Sequence, residues 1–137
     1  MKEAIRDKFS DIKKALSPYF KGHGDVLFAY LFGSCAREET TSLSDIDIAV
    51  YLKRCDFEKE RIALLVDICD ILKRDDVDLV ILNKAPLPLA FRIIRDRKIL
   101  ADNAPFIRHA FESLTIRMYL DFSILERRIL YRRYLSG

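Results

Sequence analysis

Seven apolar and aromatic residues in succession, Val26 to Phe32, stop at Gly33-Ser34, and ten residues later Asp45-Ile46-Asp47 opens a stretch that alternates through Leu52. An unbroken apolar run this short predicts a strand buried on both faces, whereas alternation predicts a strand with two different faces. Ile46, Ile48, Val50 and Leu52 share one face of the second strand, and Asp45 and Asp47 share the other, because side chains along a strand repeat every two residues. Between the strands lie a short helix over Cys35 to Glu39, with Ser34 in its first turn, and a polar loop over residues 40–44. A glycine-serine turn at one strand end is thus set close in sequence to two carboxylates that point the same way.

Around this unit the periodicity is mostly helical. Residues 3–16 predict an amphipathic helix ending near Ser17-Pro18, Lys21 to Asp25 a loop, and Phe57 to Leu72 a second amphipathic helix. Val77 to Leu82 predicts a third strand carrying one charge, Asp78. Pro86 and Pro88 open a helix near Leu89 to Arg95, and Ile99-Leu100 reads as a short edge strand. Asn103 can cap a last long helix over about 105–134, in which Phe111, Leu114, Met118, Phe122, Leu125 and Ile129 form an apolar stripe that reads as core packing. Tyr131, Tyr134 and Leu135 beyond it could reach a partner. The expected fold class is α/β (α+β): a small mixed β-sheet flanked by helices, in a single domain over 1–137, since 137 residues at 50% hydrophobic leave room for one core.

No apolar run reaches the ~20 residues that cross a bilayer, and the charged N-terminus is unlike a secretory leader. The expectation is a soluble, cytoplasmic protein without a membrane partner. Three cysteines, Cys35, Cys55 and Cys69, lack paired CxxC spacing and read as reduced thiols. Cys69 reads as core and Cys35 as a small filler beside the turn rather than a reactive thiol. The net charge of +3 lies entirely in residues 104–137, where six arginines face three acids; scattered on a helix, they read as a solvated face, and no nucleic-acid partner is expected. His23 and His109 stand in no ligand-spaced cluster and receive no role.

The turn and the carboxylates suit one chemistry. Glycine at a strand end leaves no Cβ between the main chain and an approaching phosphate. Ser34 adds a hydroxyl, and the helix that follows adds free N–H groups for β and γ phosphates; alone, the pair could be only an N-capped turn. Asp45 and Asp47 repel each other on a buried sheet unless a cation neutralises them, and magnesium prefers such oxygens; on an edge strand both would simply face water. Asp78 is the candidate third carboxylate, able to serve a second ion and to act as general base if its strand lies beside that of Asp47. Asp75 and Asp76 are nearby but read as turn residues. The candidate site is therefore Gly33 and Ser34 for nucleotide, and Asp45, Asp47 and Asp78 for metal and catalysis.

Gly-Ser, ten residues, Asp-x-Asp and a later strand Asp resemble the signature of the DNA polymerase beta-like nucleotidyltransferase superfamily. Gly33-Ser34-Cys35-Ala36-Arg37, with Ser44 to Val50, is similar to its minimal nucleotidyltransferases, and Leu87 to Leu100 and Tyr119 to Phe122 look like the MNT antitoxins encoded beside HEPN-domain toxins. The resemblance implies ATP as donor, two Mg2+ ions, and transfer of AMP to a tyrosine hydroxyl of a HEPN-domain toxin held in a hetero-oligomer. It implies that Ser34 contacts the triphosphate, that Asp45 and Asp47 bind both ions, and that Asp78 holds the catalytic one; Arg37 either steadies phosphate charge or is a helix-surface residue. Competing readings are a transferase acting on a small hydroxylated molecule such as an aminoglycoside, and a non-catalytic module that occludes a toxin.

Overall fold

The computed structural model describes residues 9–37, 45–54 and 56–135. Four strands, β1 (Val26–Phe32), β2 (Ile46–Leu52), β3 (Val77–Ile81) and β4 (Lys98–Asp102), form one mixed sheet in the order β3-β2-β1-β4. β1 is antiparallel to both its neighbours, while β2 and β3 run parallel. The helix that crosses between that parallel pair is α3 (Phe57–Leu72). Its start is capped by Asp56, whose side chain accepts from the Lys59 N–H at 3.3 Å, and its end by Lys73 in the left-handed conformation, φ 55°.

The central strand is covered on both sides, as its unbroken apolar run demands. On one side Ala29, Leu31, Ile48 and Val50 pack with Ile12, Leu16 and Phe20 of α1 (Phe9–Lys21) and with Leu64, Ile68 and Leu72 of α3. On the other, Phe28, Tyr30, Phe32 and Ala49 meet Ile93 and Ile94 of α4 (Leu87–Asp96) and Phe111 of α5 (Pro105–Leu135). Asp47 pairs in register with Phe32, so its side chain belongs to this second layer. Asn83, in a 3-10 turn after β3, accepts from and donates to the main chain of Leu52, at 2.9 Å each, and closes the end of β2.

Several expectations change. α1 runs through Pro18 to Lys21; the proline and Lys14, whose carbonyl it leaves unpaired in the helix, are exposed, and burial of Leu16 and Phe20 holds the following turn in place. Asn103 does not cap α5: its amide donates at 2.8 Å to the carbonyls of Phe20 and Val26, tying α1 to β1. Cys69 is half-buried rather than core. The apolar stripe of α5 is exposed, from Leu114 at 54% to Ile129 at 53%, apart from Phe111, and the buried face carries Arg108, Glu112 and Thr115 instead. The cause lies across the layer: the Tyr30 hydroxyl donates to Glu112, whose carboxylate also takes Arg97 at 2.7 Å and Arg108 at 3.1 Å, while Arg108 reaches Asp102 at 2.8 Å. The Tyr30 hydroxyl on β1 and Arg97 and Asp102 at the two ends of β4 require polar partners, and α5 supplies them. Among the described residues no helix is long and apolar enough to cross a membrane.

Candidate active site

β1 ends at Phe32 and the chain turns at Gly33 with φ +75°, into the four-residue helix α2 (Gly33–Ala36). A Cβ at Gly33 would sit 3.2 Å from the Asp47 carboxyl carbon and closer still to its Oδ2. The Asp47 carboxylate therefore occupies space that any side chain at position 33 would take, and the backbone angle independently favours glycine. Turn and carboxylate form one unit. Cys35, buried inside it, donates its thiol to the Asp45 carbonyl at 3.5 Å and so fastens the start of β2 to α2. Burial, with the charge of Asp47 next, pushes that thiol up to about 11, which suits a filler and not a nucleophile.

The Ile46 N–H donates to the Asp76 carbonyl at 3.0 Å, holding the beginning of β2 against the approach to β3. Parallel pairing then sets Asp78 directly beside Asp47. Asp76 itself is bound by Arg74, which holds its carboxyl below the usual range, and Asp75 is an exposed bend. Asp45 and Asp78 are exposed and Asp47 is half-buried, so the carboxylates stand at the rim of the sheet and not within it. Burial raises the pKa of Asp47, and the charges of Asp78 and Asp45 raise it further; Arg92 and Arg37 oppose them. Such crowding without full neutralisation marks a place where a cation is wanted.

Ser34 is half-buried in α2, one residue from the Asp47 contact. Arg37 follows it and donates to Asp96 of α4 at 2.8 Å, and Arg95 joins the same carboxylate. Arg92, one helical turn before Asp96, is the cation that sequence reasoning left without a role; its closeness to Asp47 follows from how α4 lies on the sheet, which spacing along the chain does not reveal. Asp45, Asp47 and Asp78 offer only carboxylate oxygens, the donor set of Mg2+. Their donor atoms are spread more widely than the 4.8 Å that encloses the one compact group of possible ligands among the described residues, His23, Asp25 and Glu60. That group lies at the other end of β1, where His23 Nε2 is 3.3 Å from Glu60 and joins the loop before β1 to α3. Position 60 is too far along the chain from 23 and 25 for ligand spacing to expose it.

The polymerase beta nucleotidyltransferase family matches residues 14–105. No curated protein matches the sequence. Among solved structures, the chain is 28% identical to a chain in a crystal structure of a toxin-antitoxin with AMP-PNP, with a TM-score of 0.68 over 87% of this chain and 92% of that one. A Y104A mutant of the toxin-antitoxin MntA-HepT is 29% identical, with a TM-score of 0.67 over 88% of this chain and 93% of that one. A tri-AMPylated Shewanella oneidensis HEPN toxin in complex with MNT antitoxin contains a chain 25% identical, with a TM-score of 0.60 over 83% and 95%. These matches bear out the resemblance to minimal nucleotidyltransferases.

Proposed function

The chain belongs to the polymerase beta nucleotidyltransferase family, and we propose that it acts as an antitoxin, transferring AMP from ATP to a tyrosine hydroxyl of a HEPN-domain toxin. The observation that carries the transferase chemistry is the Asp47 carboxylate seated on Gly33 with Asp78 beside it across the parallel pair. The partner and acceptor are supported by the similar structures, in which toxin and antitoxin are bound together and one HEPN toxin is AMPylated.

In this reading the turn at Gly33, with the Ser34 hydroxyl, holds the β and γ phosphates, and Arg37 steadies their charge from beside Asp96. Asp45, Asp47 and Asp78 would hold two Mg2+ ions, which supply charge neutralisation of the phosphates and lower the pKa of the attacking hydroxyl. The acceptor oxygen attacks the α-phosphorus, the bond from that phosphorus to the bridging oxygen of the β-phosphate breaks, and pyrophosphate leaves. The hydroxyl proton passes to Asp78, exposed at the rim where an acceptor from another protein can reach it.

The test is incubation with ATP labelled at the α-phosphate, Mg2+ and a co-purified HEPN partner. Label should appear on a partner tyrosine and vanish with Asp45→Ala/Asp47→Ala. Labelled aminoglycoside with unlabelled protein would move the acceptor to a small molecule. Protection from the toxin by the double variant would favour occlusion, and undiminished transfer by it would refute the assignment of the carboxylates.

A further inference from the structure

Helix α5 leaves the body of the protein after Tyr119, which still stacks on Phe91 at 4.0 Å between ring centres. From 120 to 134 every residue is exposed except half-buried Ser123. A free helix of ~15 residues is marginal in water. This one also carries large apolar side chains in the open, among them Met118 at 48%, Phe122 at 46%, Leu125 at 56% and Ile129 at 53%. A helix of that composition is stable when something covers it.

The spacing of these four residues, with the charges beside them, points to the cover. Steps of four, three and four are the seam of a helix pair, and the series reads the same in both directions. A two-fold axis through the midpoint between Phe122 and Leu125 therefore sets Met118 of one copy against Ile129 of the other, and Phe122 against Leu125, antiparallel. In a pair related this way, each flank of the seam faces the same flank of the second copy. Asp121 and Arg128 are seven residues apart, two turns, and share one flank. The axis brings Asp121 to within about 3 Å along the helix of the second copy's Arg128, at a rise of about 1.5 Å per residue. A parallel pair would instead face this flank with the opposite one, setting Asp121 against Glu126 and Arg128 against Arg133 of the second copy.

We propose that the projecting part of α5 pairs antiparallel with the same segment of a second copy of this chain, through the Met118-Phe122-Leu125-Ile129 seam and two reciprocal Asp121-Arg128 contacts. The pairing concerns assembly and stands or falls separately from the transfer reaction.

Light scattering on the purified full chain across a wide concentration range should give a mass twice the 16.0 kDa of one copy. Leu125→Glu should give a single copy whose body keeps its cooperative melting transition, with any loss of helical circular dichroism no larger than the projecting residues 120–134 account for. Asp121→Arg and Arg128→Asp should each weaken the dimer about tenfold, as two exposed ion pairs turned repulsive would, and the two changes in one chain should restore it. A single-copy mass at every concentration would overturn the proposal. So would a dimer indifferent to both reversals, or a double variant that stays as weak as either single one.

Discussion

Two groups of carboxylates lie on the same face of the sheet and differ in one respect. Glu112 and Asp102 are met by Arg97, Arg108 and Tyr30, so that buried charge is answered by charge and hydrogen bonds. Asp45, Asp47 and Asp78 crowd together with Arg92 and Arg37 acting on Asp47 only in part, and its pKa is raised. The first group fastens α5 to β1 and β4. The second carries unrelieved repulsion that costs stability, and stability given up at a site is a physical mark of use; in the proposed function a cation relieves it.

Replacing one member of each group separates them most sharply. Asp47→Asn should lower nucleotide transfer by about 10³-fold or more, because a charge that binds the reacting complex is lost. Its melting temperature without metal should equal or exceed that of the native chain, since a repelled charge is gone. Glu112→Ala should do the reverse, destabilising by about 3 kcal/mol because the buried Tyr30 hydroxyl loses its acceptor and Arg108 and Arg97 lose a shared carboxylate, while transfer per folded molecule at low temperature stays near native. Denaturant titration beside an initial-rate assay reads both; a Glu112→Ala chain as stable as the native one would erase the contrast.

The sequence made the second group legible and hid the first. A glycine at a strand end, two acids at i and i+2 and a lone acid in an apolar strand each carry a local signature, and the sheet register follows from alternation once β2 and β3 are neighbours. Glu112 carries no such signature, because the reason for its burial, Tyr30 and Arg97, lies 82 and 15 residues away. The apolar stripe of α5 was legible as a stripe, yet whether a stripe meets this chain or another is not encoded in its period. Arg92 escaped for the same reason: α4 was expected, but not the side of the sheet on which it lies.

Gly33→Ala tests whether the turn and Asp47 are one unit. A left-handed backbone costs an alanine about 1–2 kcal/mol, and the added methyl must displace the Asp47 carboxylate. Stability should fall by that amount and transfer by about 10²-fold, as a displacement of roughly 1 Å at a reacting centre produces. Retained transfer with lowered stability would mean that the contact serves only the fold. Arg37→Ala should act more mildly, raising KM for ATP about tenfold with kcat less affected, since a single exposed charge-assisted contact to phosphate is lost. An unchanged KM would confine Arg37 to its bond with Asp96.

The smallest expected effect is a slope with pH. Asp47 is raised in the folded protein, so between the ordinary carboxylate value and its own the folded state holds more protons than the unfolded one. Stability of the metal-free protein should fall as pH rises through that window and level off above it. Asp76 and Asp96 are lowered, chiefly by hydrogen bonds from Arg74 and Arg95 respectively, and contribute with the opposite sign: their stabilisation is present above the ordinary value and is lost as pH falls through their depressed ones. The two windows do not overlap, so Asp47→Asn should flatten the upper one and leave the lower untouched. Saturating Mg2+ should flatten the upper window in the native chain as well, because bound cation keeps the carboxylate ionised. An upper slope that survives both the substitution and the metal would place the unrelieved charge somewhere other than at the end of β1.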